Sequence, residues 1–391
     1  MKIIFISVLI THYRVSFFEK LSKNFSDFKV FTSVKDVEDG RPQYNEDVNF
    51  KVRGFREQKK TIMGFSIRYI DGMYKAIREE RPDVIVIAGI PGNLTYRKIV
   101  NWAHRNSIRV IFWYCGWEPN IKRLSLWKKI KKRLALSHYK KGSCFITYSS
   151  KAQEDLIKEN FNRENITVAY NGIELDDYKN TGRYYEQARN LREKHGGKDV
   201  VYLYVGGLVE DKRVPFLVNT FKKFNSLFPG TRLWIIGDGP LREQVLDEID
   251  NHPKIDYFGR IIKDVEPWFI AADYFVLPGA GGLALNQAMF FETPCIAGRA
   301  DGTERDLVID DVTGFSFLED NSESLLSKLA ESYNLDKEKY EIMKKNGREL
   351  ITSKSNVNNM VEVFTRVLNE LQSGQLNHHP ARSKERYAIG K

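Results

Sequence analysis

Cysteine is scarce in this chain: three thiols in 391 residues, Cys115, Cys144 and Cys295, each inside a strand-like apolar segment and none at metal-ligand spacing. That excludes a disulfide scaffold and a cysteine zinc site, and it predicts buried thiols in a reducing cytosol. No apolar run approaches the roughly 20 residues that span a bilayer. The apolar start "MKIIFISVLITHYRVSFF" is short and lacks a small-residue cleavage site, so it reads as a first core strand, Ile3 to Val8, and not as a signal peptide. That strand leads into "LITHYRV" and not into a Gly-x-Gly-x-x-Gly turn, which argues against a dinucleotide-dependent oxidoreductase. No Cys/His cluster suggests zinc, and no Asp-x-Asp pair stands at a strand end to hold a divalent cation.

What is present is an alternation of strand-like runs and helix-period segments, the mark of an α/β protein with parallel sheets. At 42% hydrophobic and 29% charged residues the chain has an ordinary globular composition, which excludes a largely disordered one. The clearest strands of the first half are Ile3 to Val8, Asp83 to Ile90, Ile108 to Gly116, Cys144 to Ser150 and Ile166 to Gly172. Those of the second half are Val200 to Gly207, Arg232 to Gly239, Ile255 to Arg260, Tyr274 to Gly279, Pro294 to Gly298 and Gly314 to Phe317. The polar stretch "ELDDYKNTGRYYEQ" separates the two series, which places a domain boundary near Asn171 to Asn180 and divides the chain into 1–172 and 173–354. Ser355 to Gln372 has apolar residues at helical spacing and reads as a final helix over 355–372, followed by a basic tail over 373–391.

The stretch "PGAGGLALNQAM", from Pro278, puts three glycines where a helix begins. Glycines admit a ligand close to the backbone, and the free N–H groups of a helix N-terminus attract anions; a plain tight turn is the alternative. In a doubly wound sheet ligands collect beyond the carboxyl ends of strands. Those ends here are "GGLVEDKR", "GDGPLRE", "FGRI", "PGAGGL" and "ADGTERD". Three of the five set a glycine directly beside a charged residue, as a phosphate and sugar pocket requires. The net charge of +10 likewise calls for an anionic partner: nucleotide, nucleic acid or lipid headgroup.

In order and spacing, "YVGGLVEDKRVPFLVNTF", "WIIGDGPLREQV", "IDYFGRI", "AADYFVLPG", "GGLALNQAM" and "DGTERDLVIDDVTGF" resemble the nucleotide-sugar-binding half of retaining family 4 glycosyltransferases. The resemblance runs from about Asn171 to Phe317 and is looser over the first half, where it rests on "THYRVSFFEKL", "RVIFWYCGW" and "ITYSSKAQEDL". It implies the GT-B fold: two facing Rossmann-like domains, a deep interdomain cleft and a C-terminal helix crossing back, with the acceptor on the first domain and the donor on the second. It further implies that Lys212 contacts the donor diphosphate, that the amides of Gly281, Gly282 and Leu283 cradle the donor sugar and phosphate, and that the backbone at Arg260 and Ile261 receives the nucleobase. Gly206, Gly207 and Gly237 belong to the donor-side strand ends, and Glu304 falls in the family's glycine-and-acid motif. Three positions depart from the family pattern. Gly279 and Gln287 stand where a glutamate is usual at each end of a nine-residue window, Gly207 replaces an arginine whose charge Arg213 could restore, and Cys115 replaces a histidine.

A retaining transfer needs the leaving nucleoside diphosphate stabilised as its charge grows. Lys212, Arg213 and the helix N-terminus supply that charge, so no cofactor and no metal are expected. Lys212 or Arg213 as an ordinary surface cation is the alternative. On the acceptor side, His12, Tyr13 and Arg14 follow the first strand and project from its carboxyl end, where Arg14 could bind an anionic group; a water-exposed helix entry is the alternative for His12. Trp113, Tyr114 and Trp117 either stack on sugar rings or belong to the core, and Glu118 is the nearest carboxylate for a general base. Lys122 to Lys141, "KRLSLWKKIKKRLALSHYKK", interleaves apolar and basic residues as a helix on an anionic membrane surface would, or as a core helix with a solvated basic face. The expected partners are a nucleotide-sugar donor, a glycan or polyprenyl-linked acceptor and an anionic membrane surface, with no nucleic acid, since no recognition motif accompanies the charge. The expected function is a retaining glycosyltransferase of cell-surface polysaccharide synthesis, cytoplasmic and peripheral at the inner face of the plasma membrane. A catalytically degenerate sugar-nucleotide-binding partner of another transferase is the alternative.

Overall fold

The structure, a computed structural model, describes all residues except 35–47, 63–64, 91, 117–125, 180–181, 299–301 and 376–391, together with the side chains of 34, 59–62, 65–67 and 126–129. The chain forms two compact units. One holds residues 1–148, 152–169 and the chain from Met360 onward; the other holds 149–151 and 170–359.

The first unit is a sheet with helices on both faces. Its strands are β1 (Lys2–Ser7), β2 (Asp27–Val34), β3 (Lys51–Ile62), β4 (Phe65–Ile70), β5 (Val84–Ala88), β6 (Arg109–Tyr114), β7 (Cys144–Thr147) and β8 (Ile166–Val168). Between them run α1 (His12–Lys23), α2 (Met73–Glu80), α3 (Leu94–Arg105), α4 (Leu126–Tyr139) and α5 (Ser150–Lys158). The order is β4-β3-β2-β1-β5-β6-β7-β8, parallel except for the antiparallel β3/β4 pair. A parallel strand covered on both faces is apolar throughout, and β1 is buried from Ile3 to Ile6. Ile4 and Ile6 join the cluster with Met73, Ile77 and Ile99. Phe5 points the other way, onto Phe17, Phe18, Trp113 and Phe364. Phe364 belongs to the last helix, here numbered α14 (Val357–Ser373), which closes that aromatic face.

The second unit contains β9 (Val200–Val205), β10 (Thr231–Ile236), β11 (Ile255–Tyr257), β12 (Tyr274–Leu277), β13 (Cys295–Gly298) and β14 (Gly314–Phe317), all parallel, in the order β11-β10-β9-β12-β13-β14. Its helices are α6 (Gly182–Leu191), α7 (Val214–Leu227), α8 (Arg242–Ile249), α9 (Glu266–Ala271), α10 (Leu283–Phe290), α11 (Thr303–Leu307), α12 (Ser322–Tyr333) and α13 (Lys337–Ser353). Alternation along the strands separates Leu203, Trp234 and Phe275 on one face from Tyr202, Leu233 and Val276 on the other. Each unit is therefore a Rossmann-like α/β layer structure, which together with α14 is the GT-B architecture.

Three strands, β2, β3 and β4, lie where no clear strand was expected. The run Lys51–Gly54 at the start of β3 is exposed, so this strand near the sheet edge carries none of the apolar signature of its buried neighbours. The expected burial of all three thiols also needs correcting. Cys144 and Cys295 are buried, but β6 ends at Tyr114 and leaves Cys115 exposed beyond it. Among the described residues no helix is long and apolar enough to cross a membrane.

Candidate functional site

The second sheet reverses direction between β9 and β12: the chain first adds β10 and β11 on one side, then returns to add β12 to β14 on the other. Connections leaving the carboxyl ends of such neighbouring strands diverge and open a crevice. From β9 the chain runs through Gly206 and Gly207 into a 3₁₀ turn, Glu210–Lys212; from β12 it runs through Pro278 to Gly282 into α10. The two loops are joined in both directions. Lys212 Nζ donates to the carbonyl oxygens of Ala280 (2.6 Å) and Gly281, and the Ala280 amide donates to the Asp211 carbonyl (2.8 Å).

This junction assigns different reasons to its glycines. A side chain on Gly279 would overlap the Asp211 carbonyl oxygen and lie 2.9 Å from the Lys212 carbonyl carbon and 3.0 Å from Arg213 Cγ. The place where the family pattern has a glutamate is thus filled by the 211–213 backbone. Gly282 is exposed, with extended backbone, and only Lys212 Nζ, at 3.5 Å, stands near where its Cβ would be. It precedes the first turn of α10, whose N–H groups have no acceptor within the helix and carry the positive end of its dipole. Lys212 and Gly282 are therefore side by side, with Gly281 and Leu283 flanking.

The β10 end is closed by backbone. A side chain on Gly237 (φ 155°) would overlap the Gly206 carbonyl, Gly206 N donates to Ile236 O (3.0 Å), and Leu208 N to Asp238 O (2.9 Å). The Tyr204 hydroxyl donates to Gly207 O and the Tyr257 hydroxyl to Gly237 O, both at 2.9 Å. Gly237 is explained by this close approach, whereas a side chain on Gly206 would meet the Tyr204 hydroxyl, 2.7 Å away. Gly207 is open, its missing side chain no nearer than 4.0 Å to the Asp238 carbonyl. Beyond β11, Arg260 is exposed and Ile261 half-buried against the core.

The remaining donor-side candidates are tied to protein groups. Arg213, in left-handed backbone (φ 55°), pairs with Asp320 (3.2 Å) and Glu210 (3.8 Å). Gln287 Nε2 donates to the Tyr178 hydroxyl at 2.8 Å; burial pushes that phenol up to about 12, the Gln287 bond opposing the shift. Glu304 is 2% exposed and accepts from the Gly302 amide at 3.2 Å. Nothing in the sequence singles out Tyr178, because it lies in the polar stretch at the domain boundary, where it is one of three tyrosines.

In the first unit His12 and Tyr13 open α1 and are exposed, while Arg14 is 8% exposed. The Arg14 guanidinium lies over Trp113 (4.7 Å) and Tyr148 (5.4 Å), with Nη1 3.7 Å from Met360 Sδ, and has no carboxylate partner among the described residues. Trp113 and Tyr114 are buried core residues and do not face solvent as stacking platforms would. Trp117 and Glu118 lie outside the described residues. On α4, Ala135, His138 and Tyr139 are buried, and burial, with Arg97 and Lys141 nearby, pulls His138 down to about 4. Ile130 and Leu134, one turn apart, are 41% and 49% exposed.

Both halves of the chain resemble known glycosyltransferases. The profile of Glycosyl transferases group 1 matches residues 187–350, and that of Glycosyltransferase Family 4 matches residues 21–177. An uncharacterized glycosyltransferase of Methanocaldococcus jannaschii, MJ1059, is 22% identical over 211 residues, 51% of each chain. The alpha-monoglucosyldiacylglycerol synthase of Acholeplasma laidlawii is 26% identical over 200 residues, 49% of this chain and 50% of that one. The chain thus spans about half the length of these two relatives. Among solved structures, Anabaena Alr3699/HepE in complex with UDP superposes with a TM-score of 0.72 at 16% identity, covering 95% of this chain and 100% of that one.

Proposed function

Because the chain is a GT-B-fold relative of the group 1 and family 4 glycosyltransferases, we propose that it is itself a retaining glycosyltransferase, moving a sugar from a nucleotide-sugar donor to a glycan or lipid-linked acceptor in cell-surface polysaccharide synthesis. The observation that carries this reading is the placement of Lys212 Nζ against the Ala280 and Gly281 carbonyls, immediately ahead of the α10 N-terminus. As the donor bond breaks, negative charge gathers on the leaving diphosphate. An ammonium and first-turn amides already fixed in place stabilise that charge without reorganising, and no metal is needed for it. An incoming diphosphate would take Lys212 from the two carbonyls that hold it. The open backbone at Gly282 leaves room for the phosphate or sugar oxygens, and Arg260 and Ile261 offer their backbone to the base. The UDP bound by HepE supports a nucleotide as the ligand class.

Two first-unit features support the acceptor side. Arg14 is a buried cation without a carboxylate partner among the described residues, next to His12 and Tyr13 beyond the end of β1. The exposed Ile130 and Leu134 among the basic residues of α4 suit an anionic membrane surface, and the name of the Acholeplasma relative places a diacylglycerol in its product. The degenerate-binder reading draws on Gly279 and Gln287, since the first has no side chain and the second is bonded to Tyr178.

A release assay across a panel of nucleotide sugars, with a lipid-linked or oligosaccharide acceptor, tests the assignment. Turnover is expected with at least one donor, to persist in excess EDTA, and to fall by roughly 10²-fold in Lys212→Ala, as on losing an oxyanion-site donor. Nucleotide binding without turnover of any donor would favour the binder. Activity abolished by EDTA and restored by magnesium would overturn the account of the leaving group.

A further inference from the structure

An open cavity of about 970 Å³ lies on the first unit between α2 and α3. Pro82 precedes β5, and Asn106 and Ile108 precede β6, so the cavity sits at the amino ends of these strands. The acceptor candidates Arg14 and Cys115 lie toward the opposite ends, about 15 Å away for strands of five to six residues. Nothing in the donor or acceptor chemistry uses this place.

Its lining is basic and aromatic. Tyr74 and Trp102 are half-buried, their bodies packed on the core. Arg78 and Arg81 are exposed, and among the described residues neither has an acidic partner. Arg78 lies 5.7 Å from the Tyr74 ring centre. The one acid in the lining, Glu79, pairs with Lys75 at 3.9 Å. Arg81 ends α2 in left-handed backbone (φ 48°), a conformation that β-carbon-bearing residues seldom adopt.

We propose that this cavity is a second saccharide site, taking an internal stretch of an acidic glycan whose sugars carry carboxylate or phosphate groups. Aromatic faces pack on the C–H face of a pyranose, and a guanidinium pairs its two N–H groups with a carboxylate or phosphate. Rings and guanidinium groups lining one cavity, the latter without an acidic partner among the described residues, match those two features of an acidic sugar together. The opening favours a chain passing through over a mononucleotide, which requires enclosure on most sides. The choice of a glycan rests on the transferase reading, in which a growing polysaccharide is the acceptor or product. A site distant from the reacting end would hold that polymer between additions.

Calorimetric titration of the full chain at low salt with a galacturonate hexamer, and with maltohexaose as the neutral control of equal length, tests this. The acidic hexamer should bind and the neutral one should bind at least tenfold more weakly. Arg78→Ala with Arg81→Ala, both exposed and not expected to disturb folding, should weaken the acidic hexamer at least tenfold and leave UDP binding unchanged. Lys212→Ala should do the reverse. Trp102→Phe should weaken the acidic hexamer while keeping the thermal transition. No binding of the acidic hexamer at millimolar concentration, binding insensitive to the arginine pair, or tighter binding at the same arginines of a single-stranded oligonucleotide of equal charge would overturn the saccharide site. Binding of the acidic hexamer by a chain that binds no nucleotide would leave this site standing and remove the transferase reading instead.

Discussion

Gly279 and Gly282 stand three residues apart and lack a side chain for opposite reasons. At Gly279 the missing atom's place belongs to the Asp211 carbonyl, so even a methyl group must push the 211–213 turn away from β12. At Gly282 the space is open, with Lys212 Nζ at ordinary contact distance. Gly279→Ala should therefore cost about 1–3 kcal/mol, the usual range for overpacking, whereas Gly282→Ala should be nearly neutral to stability. Urea unfolding of the two variants checks the contrast, and equal stabilities would mean that the two turns are not packed as described. The same geometry removes Gly279→Glu as a way of restoring a family glutamate, since it would dislodge Lys212 before any donor arrived. In the sequence the glycines of "PGAGGL" are indistinguishable. What separates them is a contact with a turn some 70 residues earlier, which no local pattern encodes.

At the scale of elements, burial decided what could be read in advance. Strands covered on both faces, such as β1, β5 and β9, are continuous apolar runs, and the final helix appears as Val357–Ser373 against an expected 355–372. β3 declares itself through neither pattern, because its exposed start carries lysine and arginine where an inner strand has valine. The helix over α4 was legible, but its two faces were not. Ala135, His138 and Tyr139 face the core, Lys132 pairs with Glu159 of α5's C-terminal flank, and Ile130 and Leu134 are left outside. This division makes the membrane reading testable with residues that do not hold the fold. Lys131→Glu with Arg133→Glu should release the chain from anionic vesicles, each basic residue near the surface contributing about 1 kcal/mol. Ile130→Ser with Leu134→Ser should weaken the same binding even at low salt. Co-sedimentation that ignores both pairs of substitutions, or does not respond to salt, would leave α4 as a solvated surface helix.

For the whole molecule, the division into two α/β layer structures followed from two strand series with a polar break, and the loops we propose for the donor are those that the rule of ligands gathering beyond carboxyl strand ends picks out. The pairing of Gln287 with Tyr178, the commitment of Arg213 to Asp320 and the packing of Arg14 on Trp113 did not follow, because each joins segments whose separation in sequence conceals their contact in space. One consequence belongs to the molecule as a unit. Every group proposed above for the donor lies in the second compact unit, between Tyr170 and Asn359, so under that proposal a nucleoside diphosphate is expected to stabilise that unit first. At 100 times its dissociation constant a ligand that binds only the folded state adds about 2.7 kcal/mol. Hydrogen exchange should then slow in peptides covering 206–213 and 278–287 and in the strands β9, β10 and β12, while the core strands β1, β5 and β6 keep their rates. Lys212→Ala should abolish the slowing without changing nucleotide-free exchange in β9, β10 and β12, because the lysine's two carbonyl partners lie in the loop after β12 and not in the core strands. Slowing confined to the first unit would move the nucleotide to the β1 side, where Arg14 is the buried cation, and would reverse the assignment of donor and acceptor halves.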